Sequence, residues 1–166
     1  LIEVRRATVA DADVIGRVHA ASWRGAYEQF GPAFLDTIVD EERVELWKRV
    51  LADDDGAVFV APSSAPTGFI YVGASRDDDA AAHVGELMTF YAAPEAWGTG
   101  VGRALMAAGV EELRAMGFTE AMLWVLDTNP RARRFYEAAG WHVDGGTKHQ
   151  SWRNAEFDEV RYRISL

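Results

Sequence analysis

The sequence predicts one α/β domain over residues 1–166, with a mixed central sheet of about seven strands flanked by about four helices. Three observations predict it. Strand-like apolar runs and helical patterns follow the order βαα-βββ-α-β-α-ββ. Turn signals rich in Gly, Pro and Asp separate the runs. A glycine-led helix joins strand 4 to strand 5 as a βαβ crossover, so those two strands should be parallel. A chain of 166 residues, 49% hydrophobic and 26% charged, is long enough to bury one core.

Ile2 to Arg6 alternates apolar and charged residues, as a half-buried strand does. Thr8 offers an N-cap, with Asp11 three residues on as its acidic partner. Val14, Ile15, Val18, His19 and Ser22 then keep helical spacing into Trp23. Gly25 to Pro32 reads as an irregular aromatic link. A second helix is expected from about Asp40 to Leu51, with Val44, Trp47, Val50 and Leu51 on one face.

Asp53-Asp54-Asp55-Gly56 is a turn, and Ala57 to Ala61 and Gly68 to Ala74 form a hairpin around Pro62 to Pro66. The acidic runs at 53–55 and 77–79 are solvated turn tips. Strand 4 is expected from about His83 to Ala92, closed by Pro94. The helix after Gly98–Gly102 runs to a Gly117 cap. Ala121 to Leu126 is a buried strand, and Pro130 opens a helix that ends at Gly140. Trp141 to Gln150 and Glu156 to Ser165 are the last two strands.

The turn Trp97-Gly98-Thr99-Gly100-Val101-Gly102-Arg103 carries the strongest chemical signal. Glycine permits a tight turn and a close backbone approach. The first N–H groups of the following helix lack intrahelical partners, and the helix dipole adds positive character, which suits a phosphate or pyrophosphate. The packing alternative is a tight turn that only brings the helix close. A Walker loop would need a Gly-Lys-Ser/Thr ending, which is absent. A Rossmann fingerprint would need Gly-x-Gly-x-x-Gly after the first strand, whereas four strands precede this turn.

Downstream, a buried strand ends in Asp127-Thr128-Asn129-Pro130. The next helix carries Phe135 and Tyr136, and Gly140-Trp141 closes it. Together the two segments resemble the acetyl-CoA-binding core of the GNAT (Gcn5-related N-acetyltransferase) superfamily. That core reads Q/R-x-x-G-x-G/A and then N-x-x-A-x-x-x-Y-x-x-x-G-F. The resemblance covers about residues 83 to 142, with Trp97 in place of Gln or Arg, Arg133 in place of Ala and Trp141 in place of Phe.

The resemblance implies a GNAT fold with strands 4 and 5 splayed around acetyl-CoA as cosubstrate. It implies that Phe90, Tyr91 and Ala92 offer backbone to the pantetheine arm, as an added strand would. It places the pyrophosphate on Gly98, Thr99, Gly100, Val101, Gly102 and Arg103, with Trp97 beside it at the cofactor site. Asn129 would reach the pantetheine or thioester. Arg133, or Arg134, would meet the 3′-phosphate or adenine edge.

Acyl transfer to an amine needs a proton acceptor, an oxyanion donor and a proton for the leaving thiolate. Tyr136 is the candidate acid, because a phenol with a pKa near 10 is protonated at neutral pH; the alternative is a packing tyrosine. Glu86 is the candidate base, at a spacing from the glycine turn similar to that in the histone-acetylating branch of the family. Its alternatives are a carboxylate that only binds a cationic acceptor, or one that faces solvent. His83 and Asp127 are further candidates, and backbone N–H near Phe90 or Tyr91 is the candidate oxyanion donor. Trp23, Tyr27 and Trp124, with Phe30, Trp152 and His149, are candidates for an aromatic acceptor pocket. His19 and His142 read as structural. The histidines show no metal spacing and cysteine is absent, so no metal is expected.

The net charge of −9 argues against nucleic acid and is compatible with an amine partner, or simply with solubility. Leu1 to Arg6 is too charged for a signal peptide, and no apolar run nears the roughly 18 residues that span a membrane. A cytoplasmic location is therefore expected. The reading is an N-acetyltransferase acting on a small-molecule or peptide primary amine in a ternary complex. The alternatives are a silent acyl-CoA-sensing module and a nicotinamide-binding oxidoreductase, the latter disfavoured by motif order. Homodimers are common among similar proteins, which leaves a dimer open.

Overall fold

In a computed structural model describing residues 1–166, the strands are β1 (Arg5–Arg6), β2 (Gly56–Ala61), β3 (Gly68–Ala74), β4 (Val84–Ala92), β5 (Glu120–Leu126), β6 (His142–Trp152) and β7 (Ala155–Ser165). They form one mixed sheet in the order β1-β2-β3-β4-β5-β7-β6, in which only β4 and β5 run parallel. The helices are α1 (Ala12–Ala26), α2 (Pro32–Leu35), α3 (Asp40–Ala52), α4 (Val101–Ala115) and α5 (Pro130–Ala138). No helix is long and apolar enough to cross a membrane.

Two expectations need correction. The first strand pairs only at Arg5 and Arg6, not from Ile2, because its partner β2 stops at Ala61 and Pro62 has no N–H to extend the ladder. There are five helices rather than about four, because the aromatic link holds the short α2. Pro32 opens α2 and Phe34 anchors it, 1% exposed, beneath Tyr27 and Phe157.

Apolar alternation splits the core between the two sheet faces. Leu105, Met106 and Leu113 of α4 and Tyr136 of α5 pack on Ile70, Val72, Leu123 and Val125. On the other face α1 and α3 cover Val58, Val60 and Phe69, and α1 and α2 cover Leu126 and Phe157. Burying these side chains is the main source of stability, at about 25 cal/mol per Å² of apolar surface.

The sheet opens where the site lies. β4 and β5 pair only from Val84↔Glu120 to Glu86↔Met122, although both strands continue. Tyr71 pairs with Thr89 and Val72 with Leu87, which leaves Met88 as an extra residue in β4. Such a bulge bends and twists its strand. The bend falls where β4 leaves β5, so the strands diverge beyond Glu86 and Met122.

Asp11 ties the chain entry to α1. Its carboxylate accepts from Arg5 at 2.9 and 2.7 Å and from the Thr8 N–H at 2.8 Å. Chiefly the Arg5 hydrogen bonds hold its carboxyl at about 2, against an ordinary 3.8. Because the folded value is depressed, the stabilisation is complete above the unfolded value and is lost as pH falls through about 2. Asp11→Asn is expected to cost about 1 kcal/mol at neutral pH, a figure reduced for the solvent around Arg5. The deficit should shrink toward zero near pH 2 in denaturant melts; an equal deficit at both pH values would refute the linkage.

Candidate active site

A cleft of about 360 Å³ occupies the gap between β4 and β5. Gly98, Gly100, Gly102 and Arg103 line one end of it. Gly98 has φ +77° and Gly100 +96°, in the left-handed region that favours glycine. The bond from the Ala104 N–H to the Gly100 carbonyl starts the α4 ladder, so the Val101, Gly102 and Arg103 N–H groups precede it. Thr99 and Val101 do not line the cleft: the Thr99 hydroxyl donates to the Ala96 carbonyl at 2.6 Å, and Val101 is core.

Trp97 lines the cleft as a platform. Its indole N–H donates to the Ala92 carbonyl at 2.8 Å, and the Arg131 guanidinium lies 3.5 Å from the ring centroid. Burial lowers the Arg131 pKa, yet a guanidinium stays charged at any ordinary pH. This end of the cleft thus combines backbone N–H groups with Arg103 and Arg131.

The register of β4 decides which of its amides face the gap. The Ala93 N–H donates to Thr67 on the β3 side at 2.8 Å. By the two-residue alternation of an antiparallel pair, Tyr91 also turns its N–H and C=O to β3, while Phe90 and Ala92 turn theirs to the gap. The Ala92 carbonyl is already taken, by Trp97 and by the Ser22 hydroxyl at 3.1 Å. Two N–H groups and the Phe90 carbonyl remain. Tyr91 also lines the cleft, but its N–H and C=O turn to β3 rather than to the gap. Its side chain instead stacks on His19 at 5.0 Å, and that imidazole accepts from the Trp47 indole at 3.0 Å. Burial lowers the His19 pKa to about 3, so it is neutral and structural.

On the opposite wall, Asn129 caps α5 by accepting the Ala132 N–H at 3.1 Å, and it lines the cleft. Tyr136 also lines it, held among Phe90, Phe135 and Trp141 with ring centroids 5.8–6.4 Å away. Burial, and next the nearby Tyr91, push the Tyr136 phenol well above its usual range, so at neutral pH it holds a proton to donate.

The model of the acetyltransferase (GNAT) family matches residues 20–141. The chain belongs to the GNAT acetyltransferase family. It is 33% identical to the uncharacterized N-acetyltransferase YuaI of Bacillus subtilis over 146 residues, 83% of this chain and 79% of that protein. It is 44% identical to the mycothiol acetyltransferase of Thermobispora bispora over 64 residues, 37% of this chain but 22% of that longer protein. The PaiA N-acetyltransferase of Thermoplasma acidophilum, solved in complex with coenzyme A, shares the fold at 19% identity, with a TM-score of 0.71 over 100% of this chain and 99% of that one. The α/β architecture with a parallel β4–β5 pair is the GNAT fold, and its family makes the chain an acyl-CoA-dependent N-acyltransferase.

Several GNAT candidates fall outside the cleft. Arg133 hydrogen-bonds Asp127 at 2.5 Å and the Tyr162 hydroxyl at 3.1 Å, away from the lining. Helical spacing explains it. Arg131, Ala132, Phe135 and Tyr136 share one face of α5, while Arg133 and Glu137 share the other. Arg131 was thus legible as the cleft arginine, since it lies four residues before Phe135.

Glu86 is 6% exposed at the last paired register of β4, where it accepts the Arg76 N–H at 2.8 Å; it does not itself line the cleft. His83 lies 3.5 Å from Glu120, outside the cleft, and His149 is exposed between Asp158 and Glu156. Tyr27 and Trp124 line the cleft on the α1 side. Trp23 does not: it stacks on Tyr27 at 4.7 Å with the Arg43 guanidinium 4.9 Å from its ring. Glu159 of β7 also lines the cleft, and no motif in the sequence marks it.

Proposed function

We propose that the chain transfers the acetyl group of acetyl-CoA to a primary amine by direct attack within a ternary complex. The single observation that carries this reading is the open β4–β5 gap, which has α4 N–H groups at one end and a protonated phenol in its wall. The left-handed turn at Gly98 and Gly100 supports a diphosphate over Gly98–Arg103, with Arg103 and Arg131 adding charge. The Ala92 N–H and the Phe90 carbonyl suit an extended arm of alternating amides, which leaves the Phe90 N–H for the acyl end. A bound thioester supplies the activated acyl carbon.

The chain's residues supply the rest. Tyr136 gives its proton to the departing sulfur, and the Phe90 N–H faces the acyl oxygen. Glu86, closing the foot of the gap, takes the amine proton through water. Asn129 orients the arm with its amide nitrogen, because its oxygen caps α5.

Free-thiol release from acetyl-CoA, measured against a panel of alkylamines, aminoglycosides and peptides, tests the reading. Release that depends on the amine is expected. Tight CoA binding with no release for any amine would favour the silent acyl-CoA-sensing alternative instead.

A further inference from the structure

Glu159 is the one carboxylate lining the cleft, whose phosphate end carries Arg103 and Arg131. It stands on β7 opposite Leu126 of β5 and Lys148 of β6, on the face covered by α1 and α2. Its side chain is 20% exposed, so its charge needs a partner. Gln150 Nε2 donates to it at 2.9 Å, and Lys148 Nζ lies 3.5 Å away. The same ammonium lies 4.4 Å from the Trp124 ring centroid, and that ring also lines the cleft. The Trp124 N–H donates to both oxygens of Asp77 at 3.1 Å, which fixes the indole. A carboxylate and a fixed indole thus bracket a cation. The cation between them is Lys148, on an edge strand, which an incoming ammonium can displace; Arg161, 5.4 Å from the same ring, is instead tied to Asp144 and Asp77.

We propose that Glu159 and Trp124 bind a second, non-reacting ammonium of the acceptor in place of Lys148, so that diamines and polyamines are preferred substrates. The inference rests on the acetyltransferase reading above. An attacking nitrogen must be neutral, whereas contact with a carboxylate favours the protonated form. The amine gripped at Glu159 is therefore not the one that attacks; a second amino group of the same molecule reaches toward Tyr136, in the same cleft. The overall charge of −9 draws such polycations in.

Steady-state thiol release should compare putrescine, cadaverine and spermidine with n-butylamine, and calorimetry should measure putrescine binding to the CoA-saturated protein. The wild type is expected to prefer the diamines through a lower KM. Glu159→Gln should cut that preference about tenfold, by raising the diamine KM rather than lowering kcat. Lys148→Met should lower the diamine KM, because the internal occupant is gone. Equal activity on diamines and n-butylamine in the wild type, or a preference that survives Glu159→Gln, overturns the proposal. If no amine is acetylated, the transfer reading fails by itself and calorimetry decides this one. Weaker putrescine binding in Glu159→Gln than in the wild type supports it, and absent or equal binding overturns it.

Discussion

Tyr136→Phe is expected to lower kcat by about 10²–10⁴-fold, the range for removing a general acid, while CoA affinity stays within a few-fold of wild type. The substitution deletes one hydroxyl and keeps the ring. Its packing against Phe90, Phe135 and Trp141 at 5.8–6.4 Å should therefore survive, and with it the fold. The split between kcat and affinity separates proton donation from packing, since a merely structural tyrosine would change both or neither. Because burial holds the phenol above its usual range, the wild-type kcat should show no alkaline fall due to Tyr136 below pH about 10. Unchanged turnover in Tyr136→Phe would remove it as the acid.

Gly100→Asp should weaken CoA binding by roughly a hundredfold, read by calorimetry. Gly100 lines the cleft at the head of α4, and although a Cβ there meets Ile2 Cδ1 at 3.3 Å, its carboxylate would stand within a few ångströms of the proposed diphosphate. Like charges a few ångströms apart near a protein surface repel by about 3 kcal/mol, which is that factor. The residue also sits at φ +96°, so a side chain adds backbone strain of about 1–2 kcal/mol. Gly100→Asn separates the two effects. It carries a similar strain without the charge, so it should lose stability like Gly100→Asp but keep most of the affinity. Wild-type affinity in Gly100→Asp would place the diphosphate elsewhere.

Legibility followed the range of the forces involved. The glycine turn, the helix opened by Pro130 and the place of Tyr136 on it were readable because each depends on residues a few positions apart. Arg133 lies outside the cleft lining, and the signal for Arg131 is present in the helical spacing that sets it and Phe135 on one face. Which amides of β4 face the gap was not legible, because it depends on the pairing of Ala93 with Thr67, across a hairpin.

The sequence alone determined the family, the order of the seven strands and a glycine turn ahead of α4, since apolar periodicity and turn chemistry are local properties. Only the tertiary structure decided which carboxylate meets the cleft. Glu86 is held at the closed foot of the gap by its pairing with Met122 and its bond to Arg76, while Glu159 is carried to the cleft by pairing with Leu126. Those pairings join residues more than thirty positions apart. A one-residue slip would turn every side chain of a strand to the other face, so apolar alternation fixes which face is buried but not which distant strand is the partner.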